Sequence, residues 1–227
     1  MTATHLVTGA GSGIGAVLAD RLLERGDDLV LVARSAERAH DLRSDAPGAT
    51  VLVADLADPA EVEALAAQLP DRLDSVVHAA GVVDLGPVAD LPTAAWQDQL
   101  AVNVVAPAVL TRIALPALRA ARGTVLFVNS GAGLSAGPQW SAYAASKHAL
   151  RALADSLRAE EHEYGVRVTT VYPGRTATPM QQKVHAQEGR DYDAADWIDP
   201  ATVVAAILHV LDLGRDATIS DLTIRPS

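Results

Sequence analysis

The chain has 227 residues, a net charge of −10, no cysteine and an apolar fraction of 49%. That length and balance fit one globular α/β domain better than two domains or a disordered chain. The acidic balance without a basic block argues against binding to nucleic acid or to an anionic membrane, and the absence of cysteine excludes disulfides and thiolate metal sites.

Short apolar runs alternate with segments of helical period along the whole chain. The central runs are almost wholly apolar, which is typical of strands buried on both faces of a parallel sheet. This alternation predicts a single domain with a Rossmann-type doubly wound parallel sheet of about seven strands and helices on both faces. The predicted strands are 5–7, 29–33, 51–54, 75–77, 124–128, 166–172 and 217–224, and the predicted helices are 14–25, 36–44, 59–68, 94–122, 142–164 and 201–213.

Two features interrupt this pattern. Pro107 and Pro116 are expected to bend or break the helix predicted over 94–122, because proline lacks the amide hydrogen. Residues 175–198 are polar and weakly periodic, and they are too long for a plain connection. Segments of that kind inside a compact domain are often lids, so we expect a mobile substrate lid there.

No targeting or membrane signal is evident in the sequence. The N-terminal residues lack the charged and apolar regions of a secretory signal, and no uninterrupted apolar stretch reaches the roughly 18 residues of a membrane span. We therefore expect a cytoplasmic protein with no membrane partner.

A glycine-rich turn follows the first predicted strand and opens the first helix. Gly9, Gly11, Gly13 and Gly15 stand at alternate positions, with Ser12 and Ile14 between the later ones. Glycines permit a tight turn and let backbone N–H groups approach a pyrophosphate, while the helix N-terminus adds partial positive charge. A flexible turn is the alternative, but the strand–turn–helix context favours a dinucleotide site.

The end of the second strand predicts which dinucleotide binds. Sites for NAD usually place Asp or Glu here against the ribose 2′-hydroxyl, whereas sites for NADP place Arg against the 2′-phosphate. Positions 29–36 hold no carboxylate, and Arg34 and Ser35 stand at the strand end. This favours NADPH/NADP+ over NAD. Alternatively, Arg34 is a solvated surface residue and Ser35 only caps the next helix.

Tyr143 and Lys147 stand four residues apart near the start of a long predicted helix, so they share one face. An ammonium beside a phenol favours the phenolate and lowers the phenol pKa from its usual value of about 10. Such a tyrosine can act as a general acid or base near neutral pH. An incidental surface pair is the alternative.

In these motifs the chain resembles the one-domain short-chain dehydrogenase/reductase family, over essentially its whole length. Thr8 and the glycine turn match the family's glycine motif, and Tyr143 with Lys147 match its Tyr-x-x-x-Lys motif. Ser130 and Asn103 stand at the family's distances before that tyrosine. The family's other cofactor positions match Asp55 and Leu56, Ala80 and Gly81, Pro173 and Gly174, and Thr176 and Thr178.

The resemblance implies an NADP(H)-dependent oxidoreductase that moves a hydride between nicotinamide and a small carbonyl or alcohol substrate. It implies that Ser130 binds the carbonyl oxygen and that Tyr143 is the general acid/base. Lys147 would lower the Tyr143 pKa and bind the ribose, and Asn103 would hold a water linking Lys147 to solvent. It also implies a homodimer or homotetramer, to which the alanines of the Tyr143 helix could contribute.

One position departs from the family. His78 stands where the family often has asparagine, and we interpret it as a structural substitute. No histidine pair with a carboxylate helper predicts a metal site. The candidate pocket walls are Leu134, Trp140, Met180 and Trp197.

Two other functions remain open from the sequence. The first is a non-catalytic NADPH-binding regulator on the same fold. The second is a reductase of carrier-bound 3-oxoacyl groups, which would need a basic patch for an acidic carrier. Arg151, Arg158 and Arg175 could supply such a patch.

Overall fold

A computed structural model describes residues 2–227. Its strands form one seven-stranded sheet in the order β3-β2-β1-β4-β5-β6-β7, and every neighbouring pair is parallel. This confirms the predicted doubly wound sheet. The strands are β1 (Thr4–Thr8), β2 (Asp28–Ala33), β3 (Thr50–Val53), β4 (Ser75–His78), β5 (Thr124–Val128), β6 (Arg167–Pro173) and β7 (Asp221–Ile224).

Helices cover both faces of the sheet, and each face has its own apolar core. The bounds are α1 (Gly13–Glu24), α2 (Ala36–Asp45), α3 (Pro59–Ala64), α4 (Thr93–Leu100), α5 (Ala106–Ala121), α6 (Ser141–Glu161), α7 (Pro179–Glu188) and α8 (Pro200–Asp212). One core packs α3, α5 and α6 against the sheet, and the other packs α1, α2 and α8. Leu6 and Val7 of β1 lie in opposite cores and are both fully buried, because successive strand residues point to opposite faces.

Of the two outcomes expected for the helix predicted over 94–122, a bend or a break, the break does not occur at Pro107 or Pro116. α4 continues through a π-helical turn at Ala101–Val105 into α5, giving one helix from Thr93 to Ala121. Pro107 falls in the first turn of α5, and Pro116 lies inside that helix. The missing proline hydrogen bonds are tolerated because tertiary packing holds the helix against the sheet.

The same helix is long and apolar enough to cross a membrane by length and composition, with a mean hydropathy of 1.7 over its most apolar window. It belongs to a packed core here, since Leu110 and Leu118 are fully buried against the sheet. Core helices of this kind pass the same test of length and hydropathy, so the finding is weak evidence for a membrane span.

The predicted helices do not include residues 175–198, yet the structure has a helix there. The middle of this segment forms α7, which Thr178 caps by accepting a hydrogen bond from the Gln181 backbone. The two ends of the segment are joined, because Ala177 N–H donates to Ile198 C=O and Ile198 N–H donates to Arg175 C=O. The sequence signal was available in Thr178 followed by Pro179, a common helix start. Whether the segment opens as a lid stays a prediction.

Candidate active site

A cleft of about 1010 Å³ opens at the carboxyl ends of the strands, where the loops after β1 and β4 separate. Open α/β sheets bind ligands at this switch in strand order. The cleft brings together most of the predicted catalytic and cofactor-binding residues. Three others of that set, Gly15, Ser35 and Asn103, lie outside its lining. The predicted residues in the lining are Gly9, Gly11, Ser12, Gly13, Ile14, Arg34, Asp55, Leu56, Ala80, Gly81, Ser130, Tyr143, Lys147, Pro173, Gly174, Thr176 and Thr178.

The glycine turn is packed so closely that side chains do not fit. A Cβ atom on Gly9 would lie 2.7 Å from the Ala80 nitrogen, and the Gly9 φ of +74° also favours glycine. A Cβ on Gly15 would lie 2.3 Å from the Gly9 carbonyl oxygen, so Gly15 packs the first turn of α1 against the strand end. Gly15 is therefore a packing residue behind the loop that lines the cleft.

The N-terminus of α1 fits a phosphate group. Ser12 stands at the N-cap, and its side chain makes no capping hydrogen bond. The amide groups of the first turn therefore lack a side-chain acceptor, and they carry the positive end of the helix dipole. With the bare glycine surface beside them, these groups are suited to a dinucleotide pyrophosphate.

The far end of the cleft is basic. Arg34 is exposed and lines the cleft. Ser35 instead caps α2, accepting a hydrogen bond of 3.3 Å from the Arg38 backbone, as the alternative interpretation of that residue held. Arg38 also lines the cleft, and its guanidinium donates to the Gly11 carbonyl at 3.3 Å and to Asp41 at 2.9 Å. Sequence reasoning missed Arg38, although its position one helical turn after Arg34 was a usable signal.

Asp55 and Leu56 line the same end of the cleft. The Asp55 carboxylate accepts a hydrogen bond of 2.9 Å from the Ala57 backbone, and the Asp55 N–H donates to Glu61 at 2.8 Å. These bonds fix the turn after β3. They place a carboxylate near the arginine end without an ion pair between them.

At the other end of the cleft Ser130, Tyr143 and Lys147 converge. Ser130 follows β5, and its hydroxyl accepts a hydrogen bond of 3.1 Å from the Ala132 backbone. Tyr143 and Lys147 come from the first two turns of α6 and are 6% and 3% exposed. The Lys147 Nζ lies 5.7 Å from the Tyr143 ring centroid and donates to the Val128 carbonyl at 3.2 Å.

The predicted lowering of the Tyr143 pKa is wrong for this structure. Burial raises the pKa of Tyr143 to about 12, and a hydrogen bond with the Ser130 hydroxyl opposes this rise only in part. Burial also lowers the pKa of Lys147 to about 8. Loss of water penalises the charged form of each group, and the ammonium is directed to the Val128 carbonyl. Tyr143 therefore holds its proton at neutral pH.

Asn103 braces the site from behind rather than lining the cleft. Its Oδ1 accepts from the Val82 N–H at 2.9 Å, and its Nδ2 donates to the Val82 carbonyl at 2.9 Å and to Ser146 at 3.0 Å. Asn103 lies in the π-helical turn between α4 and α5, and such turns are frequent at functional sites. Its amide hydrogens are committed to the loop after β4 and to α6, so the structure gives its side chain a positioning role.

Asn129 is a positioning residue that sequence reasoning did not single out. Its Nδ2 donates to the Lys147 carbonyl at 3.0 Å, and its Oδ1 accepts from the Ser130 N–H at 2.8 Å. Asn129 thereby joins the end of β5 to the turn of α6 that carries Lys147. A Cβ on Gly133 would lie 2.5 Å from the Asn129 Oδ1, so a glycine is needed beside this bridge.

His78 has the structural environment that we expected. Its Nε2 lies 2.8 Å from the Thr111 hydroxyl, and its ring stacks on Phe127 with centroids 5.0 Å apart. Burial lowers the pKa of His78 to about 3, so the ring is neutral at physiological pH. His78 does not line the cleft.

α7 forms one wall of the cleft. Thr178, Met180 and Gln181 line it, and the Gln181 Nε2 is a buried donor with no hydrogen-bond partner within residues 2–227. A buried donor of this kind is satisfied by a bound ligand or by a small rotation. Arg175 ties the segment together by donating to Glu188 at 2.8 and 2.7 Å, and this pairing lowers the Glu188 pKa.

Two of the four predicted pocket walls line the cleft, namely Trp140 and Met180. Leu134 and Trp197 do not, and the Trp197 ring packs edge-on against His185 at 5.1 Å between centroids. These two expectations are therefore wrong.

The arginines considered for a carrier-protein patch are already paired. Arg151 and Arg158 both contact Asp155, at 3.8 and 2.7 Å. Arg175 is the residue that holds Glu188. These three guanidiniums therefore form no free basic patch.

Comparison with known proteins agrees with this geometry. The short chain dehydrogenase family model matches residues 3–189. The chain belongs to the short-chain dehydrogenase family. It is 32% identical to a bovine L-fucose dehydrogenase over 222 residues, which cover 92% of this chain and 76% of the relative.

Two solved structures give further comparisons with this short-chain dehydrogenase. An Escherichia coli putative short chain dehydrogenase complexed with NADPH is 29% identical, with a TM-score of 0.87, covering 97% of this chain and 95% of the other. A 4-hydroxyisoleucine dehydrogenase mutant complexed with NADH and succinate is 25% identical, with a TM-score of 0.86, covering 99% of this chain and 97% of the other. The chain is thus an oxidoreductase of this family, and its structural neighbours include both NADPH and NADH complexes.

Proposed function

We propose that this enzyme uses NADP(H) to interconvert a carbonyl compound and the corresponding alcohol, with Tyr143 as the general acid/base. The observation that carries the proposal is the continuity of one cleft. Its glycine turn and Arg34 lie at one end, and Ser130, Tyr143 and Lys147 lie at the other. A dinucleotide spanning that cleft brings its nicotinamide to the tyrosine.

Each residue at the reactive end has a distinct part in the chemistry. The Ser130 hydroxyl donates a hydrogen bond to the carbonyl oxygen and polarises it. The bound nicotinamide supplies or accepts the hydride. Tyr143, whose pKa of about 12 keeps the phenol protonated, donates its proton to the oxygen as negative charge develops there. Lys147 binds the ribose hydroxyls and stabilises the phenolate left behind, and the Asn129 bridge holds Ser130 and Lys147 in register.

Preference for NADP(H) rests on the charge at the adenosine end. Arg34 and Arg38 both line the cleft there, and a guanidinium can pair with a phosphate through two parallel hydrogen bonds. No carboxylate stands at positions 29–36 to hold a ribose 2′-hydroxyl. One structural neighbour is complexed with NADPH and another with NADH, so membership of the family does not decide between the two cofactors. The presence of two arginines, Arg34 and Arg38, at this end of the cleft favours the phosphorylated cofactor.

Specific features of the structure argue against the two competing functions. A regulator that only binds NADPH has no use for a buried tyrosine and lysine at the nicotinamide end of the cleft. A reductase of carrier-bound acyl groups needs a basic surface patch, and the three arginines considered for that patch, Arg151, Arg158 and Arg175, are all paired with carboxylates. A small, freely diffusing carbonyl or alcohol substrate is the better proposal.

The assembly and the compartment are part of the same proposal. Ala145 and Ala152 are exposed on α6 and Ala149 is half-buried, leaving a smooth helix face on which a second copy can pack. We propose a homodimer or homotetramer in the cytoplasm. Light scattering of the purified enzyme would measure the assembly, and fractionation of the source cells would place it.

The test is turnover of a panel of ketones and alcohols with NADPH, NADP+, NADH and NAD+, followed at the nicotinamide absorbance. The proposal expects turnover of at least one pair, with a higher kcat/KM for the phosphorylated cofactor. Tight NADPH binding without any turnover across the panel would favour the regulator instead.

A further inference from the structure

Besides Arg175, a second arginine lines the substrate end of the cleft, and its guanidinium has no ion-pair partner within residues 2–227. Arg225 follows β7 directly and lines the cleft. A methyl group built on Gly131 would lie 2.7 Å from the Arg225 Nη1, so this guanidinium extends across the backbone next to Ser130. Strand order explains the approach, because β5, β6 and β7 are neighbours and their carboxyl ends meet.

Arg225 differs from the other cationic residues of this region. Arg175 is held by Glu188, and Lys147 is buried and donates to the Val128 carbonyl. Within residues 2–227 no carboxylate lies within 4.0 Å of the Arg225 guanidinium, and that guanidinium makes no hydrogen bond. Asp98 also lines the cleft, and it forms no ion pair with Arg225 in this part of the chain.

The dinucleotide phosphates are poorly placed to be its partner. The glycine turn follows β1, and β7 is four strands away in the sheet. The guanidinium itself reaches Gly131 after β5, two strands from β1, and with neighbouring strands about 4.8 Å apart this is a separation of about 10 Å. Arg34 and Arg38 lie farther still, after β2. Arg225 therefore faces the substrate rather than the phosphorylated half of the cofactor.

We propose that Arg225 binds the carboxylate of an anionic substrate, which makes short hydroxy acids and the matching oxo acids the substrate class of this enzyme. Arg225 reaches the backbone of Gly131, the residue after Ser130, so one small molecule can place its carbonyl oxygen at Ser130 and its carboxylate at Arg225. This inference rests on the proposed function, which supplies the role of Ser130.

The reaction is balanced for such a substrate. In the oxidative direction the carbinol C–H bond breaks and its hydride passes to NADP+. For this step Tyr143 first releases its own proton to solvent, and the resulting phenolate accepts the hydroxyl proton of the substrate, leaving the oxo acid, NADPH and one proton in solution. The carboxylate takes no part in bond making. It is held by Arg225 through charge-assisted hydrogen bonds, which orient the carbinol carbon.

The experiment compares an acid with its neutral ester on the same carbon skeleton. Both enantiomers of 3-hydroxybutanoate and of methyl 3-hydroxybutanoate are oxidised with NADP+ by the full-length enzyme and by Arg225→Gln, Arg225→Lys and Arg151→Gln. Arg225 is exposed and makes no hydrogen bond within residues 2–227, so its replacement should leave folding intact. Arg151 is an exposed arginine on α6 outside the cleft and serves as the matched control.

The parent enzyme is expected to prefer one enantiomer of the acid over its ester by at least about tenfold in kcat/KM, as expected for one charge-assisted contact. Arg225→Gln should remove that preference, mainly through KM, and leave the ester within about twofold of the parent. Arg225→Lys should lie between them because it keeps the charge and loses the planar fork. Equal effects of Arg225→Gln on acid and ester would overturn the inference.

Calorimetry supplies a readout that does not require turnover. 3-Hydroxybutanoate is titrated into the NADPH-bound enzyme, where no hydride transfer can follow. Saturable binding that Arg225→Gln abolishes supports the anion site, and binding that survives this change, or no binding at all, overturns it. Failure of the proposed function is recognised separately, as turnover that persists in Tyr143→Phe.

Discussion

The two ends of the sheet both contain buried polar groups, and the carboxyl end opens into the cleft of the candidate active site. At the amino end, His5 Nδ1 lies 2.7 Å from the Ser75 hydroxyl, and His5 Nε2 lies 3.5 Å from Asp27 Oδ2. His5 is 4% exposed and Ser75 is fully buried. A serine, a histidine and an aspartate therefore lie close together at this end of the sheet, yet none of the three lines the cleft.

At the carboxyl end, Ser130, Tyr143 and Lys147 are also largely buried, but they face a space that a ligand can enter. The difference arises from the crossovers. Strand order reverses at β1, so the loops after β1 and β4 separate at the carboxyl end and leave room there. At the amino end His5 pairs with Ser75 of the adjacent strand, and Asp27 is held by Arg25 at 3.2 Å, so these groups are enclosed by protein. Access to solvent and ligand, rather than polar clustering, therefore separates the candidate site from a structural cluster.

The largest expected effect tests the carboxyl end. Tyr143→Phe should lower kcat by about 10³-fold, because it removes the proton donor, while NADPH binding persists. Tyr172→Phe is the matched control, since Tyr172 is 1% exposed, lies outside the cleft and has a hydroxyl without a hydrogen-bond partner in residues 2–227. Steady-state kinetics and NADPH titration measure both variants. Equal losses in the two would remove the distinction between the cleft tyrosine and a core tyrosine.

The next effect tests the adenosine end of the same cleft. Arg34→Asp should weaken NADPH binding by about 100-fold and leave NADH binding within a few-fold, because a carboxylate repels the 2′-phosphate. Arg21→Asp is the control, since Arg21 is an exposed arginine on α1 outside the cleft. Fluorescence titration of both cofactors gives the ratio. An unchanged preference in Arg34→Asp would mean that Arg34 is only a surface charge.

A smaller effect concerns stability in acid and tests the amino end. Burial lowers the pKa of His5, and it lowers the pKa of His78 to about 3. Below about pH 6.5 these two histidines bind protons in the unfolded chain, whereas in the folded protein they stay neutral because burial lowers their pKa values. Stability is therefore complete above about pH 6.5 and is lost as the pH falls towards the folded pKa values, by up to about 1.4 kcal/mol per pH unit for each ring.

Urea unfolding at several pH values would measure this loss. His5→Gln and His78→Gln should each flatten the dependence of stability on pH, whereas the exposed His40→Gln should not. His5→Gln should also keep kcat within about twofold of the parent at neutral pH, since hydrogen bonds of this kind contribute about 1 kcal/mol to stability and His5 does not line the cleft. A loss of turnover in His5→Gln would contradict a purely structural amino end.

The smallest effect concerns motion at the cleft. We expect amides 178–195 to exchange faster than those of α6 without ligand and to gain protection when NADPH binds. Asp84 ties α7 to the loop after β4, with its carboxylate 2.7 Å from Lys183 and 3.0 Å from Gln187. Asp84→Asn should speed exchange in α7 by up to about fivefold, as expected for an exposed pair.

Asp155→Asn on α6 is the matched control for that measurement, since Asp155 is also paired but lies outside the cleft. Protection over 178–195 that equals that of α6 in the absence of NADPH would show a preformed pocket. The lid prediction would then be wrong.

Local chemistry in the sequence was enough to predict the parallel sheet, the glycine turn and the Tyr143–Lys147 pair, whereas Ser130 was implied by the resemblance to the family. Apolar runs specify buried strands, glycine spacing specifies a tight turn, and residues four apart on a helix share a face. These are properties of neighbouring residues, so they can be read along the chain. α7 could also have been predicted, from Thr178 and Pro179, and was missed because its helical period is weak.

Long-range packing decided the rest. The continuous helix through Pro116, the π-helical turn at Asn103 and the Asn129 bridge depend on contacts between distant segments. The pKa of Tyr143 rises rather than falls because the fold buries the phenol, and the hydrogen bond with Ser130 opposes this rise only in part. Arg225 reaches the neighbourhood of Ser130 only because β5, β6 and β7 lie side by side. The sequence determined which chemistry is available, and tertiary burial and strand order decided which groups face the cleft and with what charge, because desolvation and proximity depend on the folded surroundings.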